Sequence, residues 1–179
     1  SKRSDFEGES NGTVDLGDLD GKNGFVLWGL DSPDHSGTAV STLGDINGDG
    51  YDDLITGAPY ADPNGKGNAG ESYVIFGQPN AYAVDGDGGI DLAKLNGSNG
   101  FRIDGIDSGD TSGFSVNNAG DVNGDGLDDF VIGAARYPGT FRDQPVTYNP
   151  NKGGPGEAYL IYGKKTGYKA SMKLSELDD

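Results

Sequence analysis

Oxygen-bearing groups fall at every second position in GDINGDGYDD (44–53): the side chains of Asp45, Asn47 and Asp49, the backbone carbonyl of Tyr51, and the side chain of Asp53. The pattern returns in GDVNGDGLDD (120–129), with Asp121, Asn123, Asp125, the Leu127 carbonyl and Asp129. Six to eight oxygen ligands at roughly 2.4 Å suit Ca²⁺, whereas zinc or copper would draw on Cys and His. The chain has no Cys and a single His. Two calcium loops are therefore expected, with Gly50 and Gly126 at the sixth position, where a sharp turn favours a residue tolerant of positive φ. Where an EF-hand places a bidentate Glu, at the twelfth position, stand Thr56 and Ile132, so Asp53 and Asp129 are expected to supply the fifth oxygen. Asp52 and Asp128, at the eighth position, are expected to face solvent. The competing reading is a plain polar turn, since Asp, Asn and Gly are ordinary turn residues. Two loops in register favour the metal.

The elements that must position these loops read as strands. DLITGAP (53–59) and DFVIGAA (129–135) follow the loops with β-branched and aromatic residues, not with an exiting helix. Each repeat offers four such runs, beginning at Gly24, Thr38, Asp53 and Glu71, then at Gly100, Gly113, Asp129 and Glu157. The repeats open with DLGDLDGKNGF (15–25) and DLAKLNGSNGF (91–101), and KLSELDD (173–179) begins again. The expected organisation is a lead-in over 1–14, one blade over 15–90, a second over 91–172 and the start of a further repeat over 173–179. Gly/Asn/Asp turns between the runs predict antiparallel meanders. Near-continuous apolar runs such as Tyr73–Phe76 predict sheets covered on both faces, the situation of a propeller blade.

Phe76-Gly77 and Gly57-Ala58-Pro59, with the acidic loop ahead of them, resemble the FG-GAP repeat of integrin α-subunit β-propellers and their bacterial relatives. The likeness runs from about Asp15 to Gly163. The second repeat departs mildly, with Tyr162-Gly163 and Gly133-Ala134-Ala135 in the corresponding places. The resemblance implies an all-β fold of antiparallel four-stranded blades of β-propeller type and a calcium-binding, non-enzymatic extracellular module for adhesion or protein–protein interaction. The alternative is an accessory or carbohydrate-binding module of a secreted enzyme. Such propellers have more blades than two, so the chain is expected to be a fragment, an open stack, or a unit that self-associates through its blade faces. In the last case 173–179 would complete a neighbour's first strand.

Charge narrows the partners. With 29 acidic against 13 basic residues the net charge is −16, which repels nucleic acid and anionic membranes. No apolar run reaches transmembrane length, so membrane insertion is not expected. Only 33% of residues are hydrophobic, a lean core that bound calcium would support. Millimolar calcium is an extracellular condition, which favours a secreted or cell-surface setting. Enzymatic readings find little: His35 has Thr111 as its counterpart one repeat later, and no GxSxG elbow is present. The partner is expected to be a protein or glycan. The second repeat carries a ten-residue insertion after Arg136, in a stretch (136–156) mixing Tyr, Phe, Arg and Pro, equally readable as a recognition loop or a tolerated insertion.

Overall fold

A computed structural model describes residues 15–80, 82, 84–85, 88–136 and 156–176. The lead-in over 1–14 and nearly all of the inserted stretch lie outside the described residues, as do 177–179. The fold is all-β, and the only helices among the described residues are single 3-10 turns of three residues. The described residues form ten strands in order: β1 (Val26–Trp28), β2 (Ala39–Gly44), β3 (Asp53–Ala58), β4 (Glu71–Ile75), β5 (Gly89–Asp91), β6 (Gly100–Asp104), β7 (Ser112–Gly120), β8 (Asp129–Ala134), β9 (Glu157–Ile161) and β10 (Ser171–Lys173).

All eight runs expected from the sequence are strands, but they do not pair repeat by repeat. The largest sheet has the order β10-β6-β4-β3-β2, the second is β7-β8-β9, and β1 pairs with β5. The first strand of the second repeat, β6, thus supplies the fourth strand of the first sheet, antiparallel to β4 with Val74 opposite Phe101. Sequence repeat and hydrogen-bonded sheet are out of phase by one strand. Two pairings are parallel rather than antiparallel, β1 with β5 and β10 with β6. Lys173, the first residue of the 173–179 stretch expected to complete a neighbour's first strand, pairs within its own chain, opposite Asp104.

Register repeats faithfully inside the sheets. Thr42 lies opposite Leu54 and Gly44 opposite Asp53, and one repeat later Asn118 lies opposite Phe130 and Gly120 opposite Asp129. Each sheet has an irregularity immediately before its acidic loop, where an extra residue bends the strand and ends pairing.

The two sheets face each other across one core. Ile55, Val74, Phe101 and Ile103 of the first meet Val116, Phe130, Ile132 and Ile161 of the second, with Leu43 and Ile46 closing the loop end. Gly57 lets the sheets approach: a Cβ there would lie 1.9 Å from the Gly113 carbonyl oxygen. The other face of the first sheet is also covered. Tyr73 and Ile75 pack with Ala58, Ala61, Leu92 and Leu95, and Leu27, Tyr82 and Ile90 lean on them. The sequence leads one to expect two exposed outer faces; β1, β5 and the 3-10 turn Leu92–Lys94 close one of them. Open, among the described residues, is the far face of the second sheet, where Val131 pairs with Leu160, itself 41% exposed. Their repeat counterparts, Ile55 and Val74, are buried against the second sheet.

Candidate metal centre

Both acidic loops are folded by their own carboxylates. Asp45 Oδ1 accepts from Gly48 N at 2.7 Å and Asp49 N at 3.0 Å, and Oδ2 from Gly50 N at 2.8 Å. Asp121 repeats this on Gly124 at 2.7 Å, Asp125 at 3.0 Å and Gly126 at 2.9 Å. Asn47 and Asp49 are bonded both ways, Asp49 N to Asn47 Oδ1 at 2.8 Å and Asn47 Nδ2 to Asp49 Oδ2 at 3.0 Å. Asn123 and Asp125 do the same, both bonds at 2.9 Å. Asp49 Oδ1 and Asp125 Oδ1 accept from Tyr51 N and Leu127 N, each at 2.9 Å. The sixth-position glycines have φ of 90° at Gly50 and 89° at Gly126, a turn that a side chain would strain.

Asp53 and Asp129 begin the strands and are fully buried. Asp53 accepts from Ile46 N at 3.1 Å and Gly77 N at 2.8 Å; Asp129 accepts from Val122 N and Gly163 N, both at 2.9 Å. Each therefore latches the loop to the end of the last strand of its repeat, a role the spacing did not reveal. Burial pushes the Asp53 carboxyl up to about 6; the bonds from Gly77 and Ile46 oppose this, and the Asp49 and Asp45 charges add to it. The third carboxylate of the loop feels the other two, which is the crowding a cation relieves.

The structure thus brings Asp45, Asn47 and Asp49 together around one turn and Asp121, Asn123 and Asp125 around the other, with Asp53 and Asp129 set behind them. Tyr51 and Leu127 follow the turn, Tyr51 exposed and Leu127 buried. Among the described residues no group of three or more Asp, Glu, His or Cys side chains is arranged to hold a metal ion. The donor set nonetheless fits calcium in kind: hard oxygens only, three carboxylates per loop, with lone pairs left on oxygens that already accept from backbone N–H. Thr56 and Ile132, at the twelfth position, are buried within β3 and β8, away from any ligand role.

A second concave surface, of about 440 Å³, lies between the segment after β1 and the β3–β4 connection, lined by Asp31, Asp34, Asp62, Glu71 and Arg102 among others. Arg102 pairs with Asp104 at 2.6 Å and Glu71 at 3.6 Å, and Tyr73 donates its hydroxyl to Glu71. Burial raises the Glu71 carboxyl; the Tyr73 bond and Arg102 oppose it. His35 is exposed and edge-on to Tyr60 at 4.9 Å. His35 and its counterpart Thr111 share a left-handed backbone, φ 55° and 51°, a repeated turn that the dissimilar side chains concealed.

Residues 36–75 match the family described as FG-GAP repeat. The chain carries an FG-GAP repeat. This repeat spans β2, the first acidic loop, β3 and β4, so the match covers the loop and the strands that carry it. FG-GAP repeats are propeller-type blades, in keeping with the mostly antiparallel sheets. The chain is also similar to integrin alpha subunits. It is 40% identical to integrin alpha pat-2 of Caenorhabditis elegans over 100 residues, 55% of this chain and 7% of that protein. It is 29% identical to integrin alpha-PS2 of Drosophila melanogaster over 153 residues, 84% of this chain and 9% of that protein. It is 33% identical to integrin alpha-IIb of Mus musculus over 124 residues, 68% of this chain and 11% of that protein. The matched stretch spans about a tenth of these relatives or less. No helix among the described residues is long and apolar enough to cross a membrane.

Proposed function

We propose that this chain is a calcium-stabilised, non-enzymatic β-propeller-type module of a secreted or cell-surface protein, serving adhesion or protein–protein interaction. One observation carries the calcium part: two loops of matching sequence fold alike, bond for bond, and each carries three carboxylates within nine residues in a chain of net charge −16. Asp45, Asn47, Asp49, Asp53 and the Tyr51 carbonyl would hold one ion, and Asp121, Asn123, Asp125, Asp129 and the Leu127 carbonyl the other. The bound ion supplies positive charge that offsets carboxylate repulsion and fixes the turn. Calorimetric titration with calcium is expected to show two sites per chain, falling to one in Asp121→Ala; fewer than two in the unaltered chain defeats the assignment.

Adhesion is supported by the integrin relatives, and the partner class by the chain's acidity. Pull-down of protein partners against glycan-array binding, both in calcium, separates the interaction module from an accessory carbohydrate-binding one. The sheet face at Val131 and Leu160, open among the described residues, supports self-association, and because the first sheet is already covered, it supports a pair of copies rather than a ring. Sedimentation in millimolar calcium is expected to show a species of twice 18.5 kDa appearing with concentration. A single species at monomer mass throughout removes the self-association.

A further inference from the structure

Asp52 and Asp128 occupy the same place in their repeats, yet their surroundings differ. Asp52 is exposed, as the sequence leads one to expect of both; Asp128 is half-buried. Its Oδ2 accepts from Asp45 N at 3.0 Å, across 83 residues of chain, and Asp128 N donates to Asp45 O at 3.2 Å. The eighth residue of the second loop therefore holds both backbone polar groups of the first residue of the first loop.

The neighbouring residues make room for this bridge. A Cβ on Gly44 would lie 2.2 Å from Asp128 Oδ2, whereas a Cβ on its counterpart Gly120 would meet nothing within 4 Å. The next residue is gripped too: Ile46 O accepts from Lys164 N at 2.9 Å and from the Tyr168 hydroxyl at 3.1 Å. Asp45 and Ile46, which open the first loop, are thus positioned by the second repeat.

We infer that Asp128 is a positioning residue that couples the two loops, so that calcium in the second loop raises the affinity of the first. This rests on the calcium reading above. Asp128 sits between Leu127 and Asp129, both assigned to the second ion. An ion there immobilises the segment that carries Asp128, and so the backbone of Asp45, before the first ion arrives. Less ordering is then left to the first binding event, and by linkage the first ion favours the second equally. Asp52 has no such contact among the described residues, so the repeat contains its own control.

Calcium calorimetry on the full chain tests this. Disabling the second loop with Asp121→Ala is expected to weaken the first site about fivefold or more, the usual range of coupling between sites. Asp128→Ala weakens the first site to a similar degree with the second loop intact, and Asp121→Ala added to it brings no further loss. Asp128→Asn, which keeps an acceptor oxygen, retains most of the coupling, and Asp52→Ala leaves both sites as they were. A first site indifferent to Asp121→Ala, or coupling that survives Asp128→Ala, overturns the inference while leaving two independent calcium sites. No calcium binding at all in the unaltered chain is a different result and removes the calcium reading itself. Exchange at the Asp45 amide provides a readout that leaves Asp128 in place. In Asp49→Ala, with only the first loop disabled, calcium is expected to slow that exchange, because the amide's acceptor belongs to the second loop. Unchanged exchange there also overturns the coupling.

Discussion

Chelating calcium is expected to lower the melting temperature by roughly 10–20 °C. An ion that binds only the folded chain adds about 2.7 kcal/mol per site at a hundredfold excess over Kd, hence about 5 kcal/mol for two. In a domain of this size each kcal/mol moves the melting temperature by about 2–4 °C. The cause is local. Removing the ion leaves three carboxylates per loop to repel one another, and burial has already set Asp53 at a disadvantage as an anion. Melting followed by circular dichroism, with calcium and then with EGTA, measures the effect. Asp121→Ala is expected to melt lower in calcium and to lose at least half of the EGTA difference, more where the loops are coupled. Identical melting with and without the chelator refutes the assignment of the loops.

Phe101→Ala is expected to cost about 3–5 kcal/mol, the range for emptying a buried phenylalanine site. Phe101 is fully buried in β6, stacked on Tyr168 at 4.6 Å and tilted against Phe76 at 5.7 Å. It lies opposite Val74 in the strand pair that closes the first sheet, so its loss opens a cavity where the two repeats join. Its counterpart one repeat earlier, Phe25, is only half-buried beside Tyr82 at 4.4 Å. Phe25→Ala is therefore expected to cost clearly less. Urea unfolding of the two variants measures the difference, and equal losses would show that β6 is not a structural closure of the first sheet.

The acidic loops and the strands beside them were legible because their signals are local. Alternating oxygen donors, glycines at positions of positive φ, and apolar runs between turns all lie within ten residues of one another. Pairing was not legible in the same way. GFRID reads identically whether it closes its own repeat or the one before it, and only the partner across the ladder decides. The role of Asp128 was hidden for the same reason: its acceptor contact is with a backbone N–H 83 residues away. The spacing of Asp53 and Asp129 marks them as metal donors, but it carries no trace of Gly77 or Gly163, whose N–H groups they hold. The covering of the first sheet is not legible because Ile90 and Leu92 stand in a segment too short to register as an apolar run, and Leu27, inside the run from Gly24, carries no sign of the sheet it covers.

The offset between repeat and sheet matters while the chain is being made. Three strands of the first sheet are complete once residue 75 has been added, but the fourth arrives only with residues 100–104. At about 5–20 residues per second this leaves a delay of about one to five seconds. Through that interval Glu71–Ile75 presents a row of unpaired backbone groups beside Tyr73, Val74 and Ile75, the kind of edge that recruits another nascent chain. Translation speed across the segment between β4 and β6 thus becomes a determinant of yield, and slow codons there would lengthen the exposure of one particular strand.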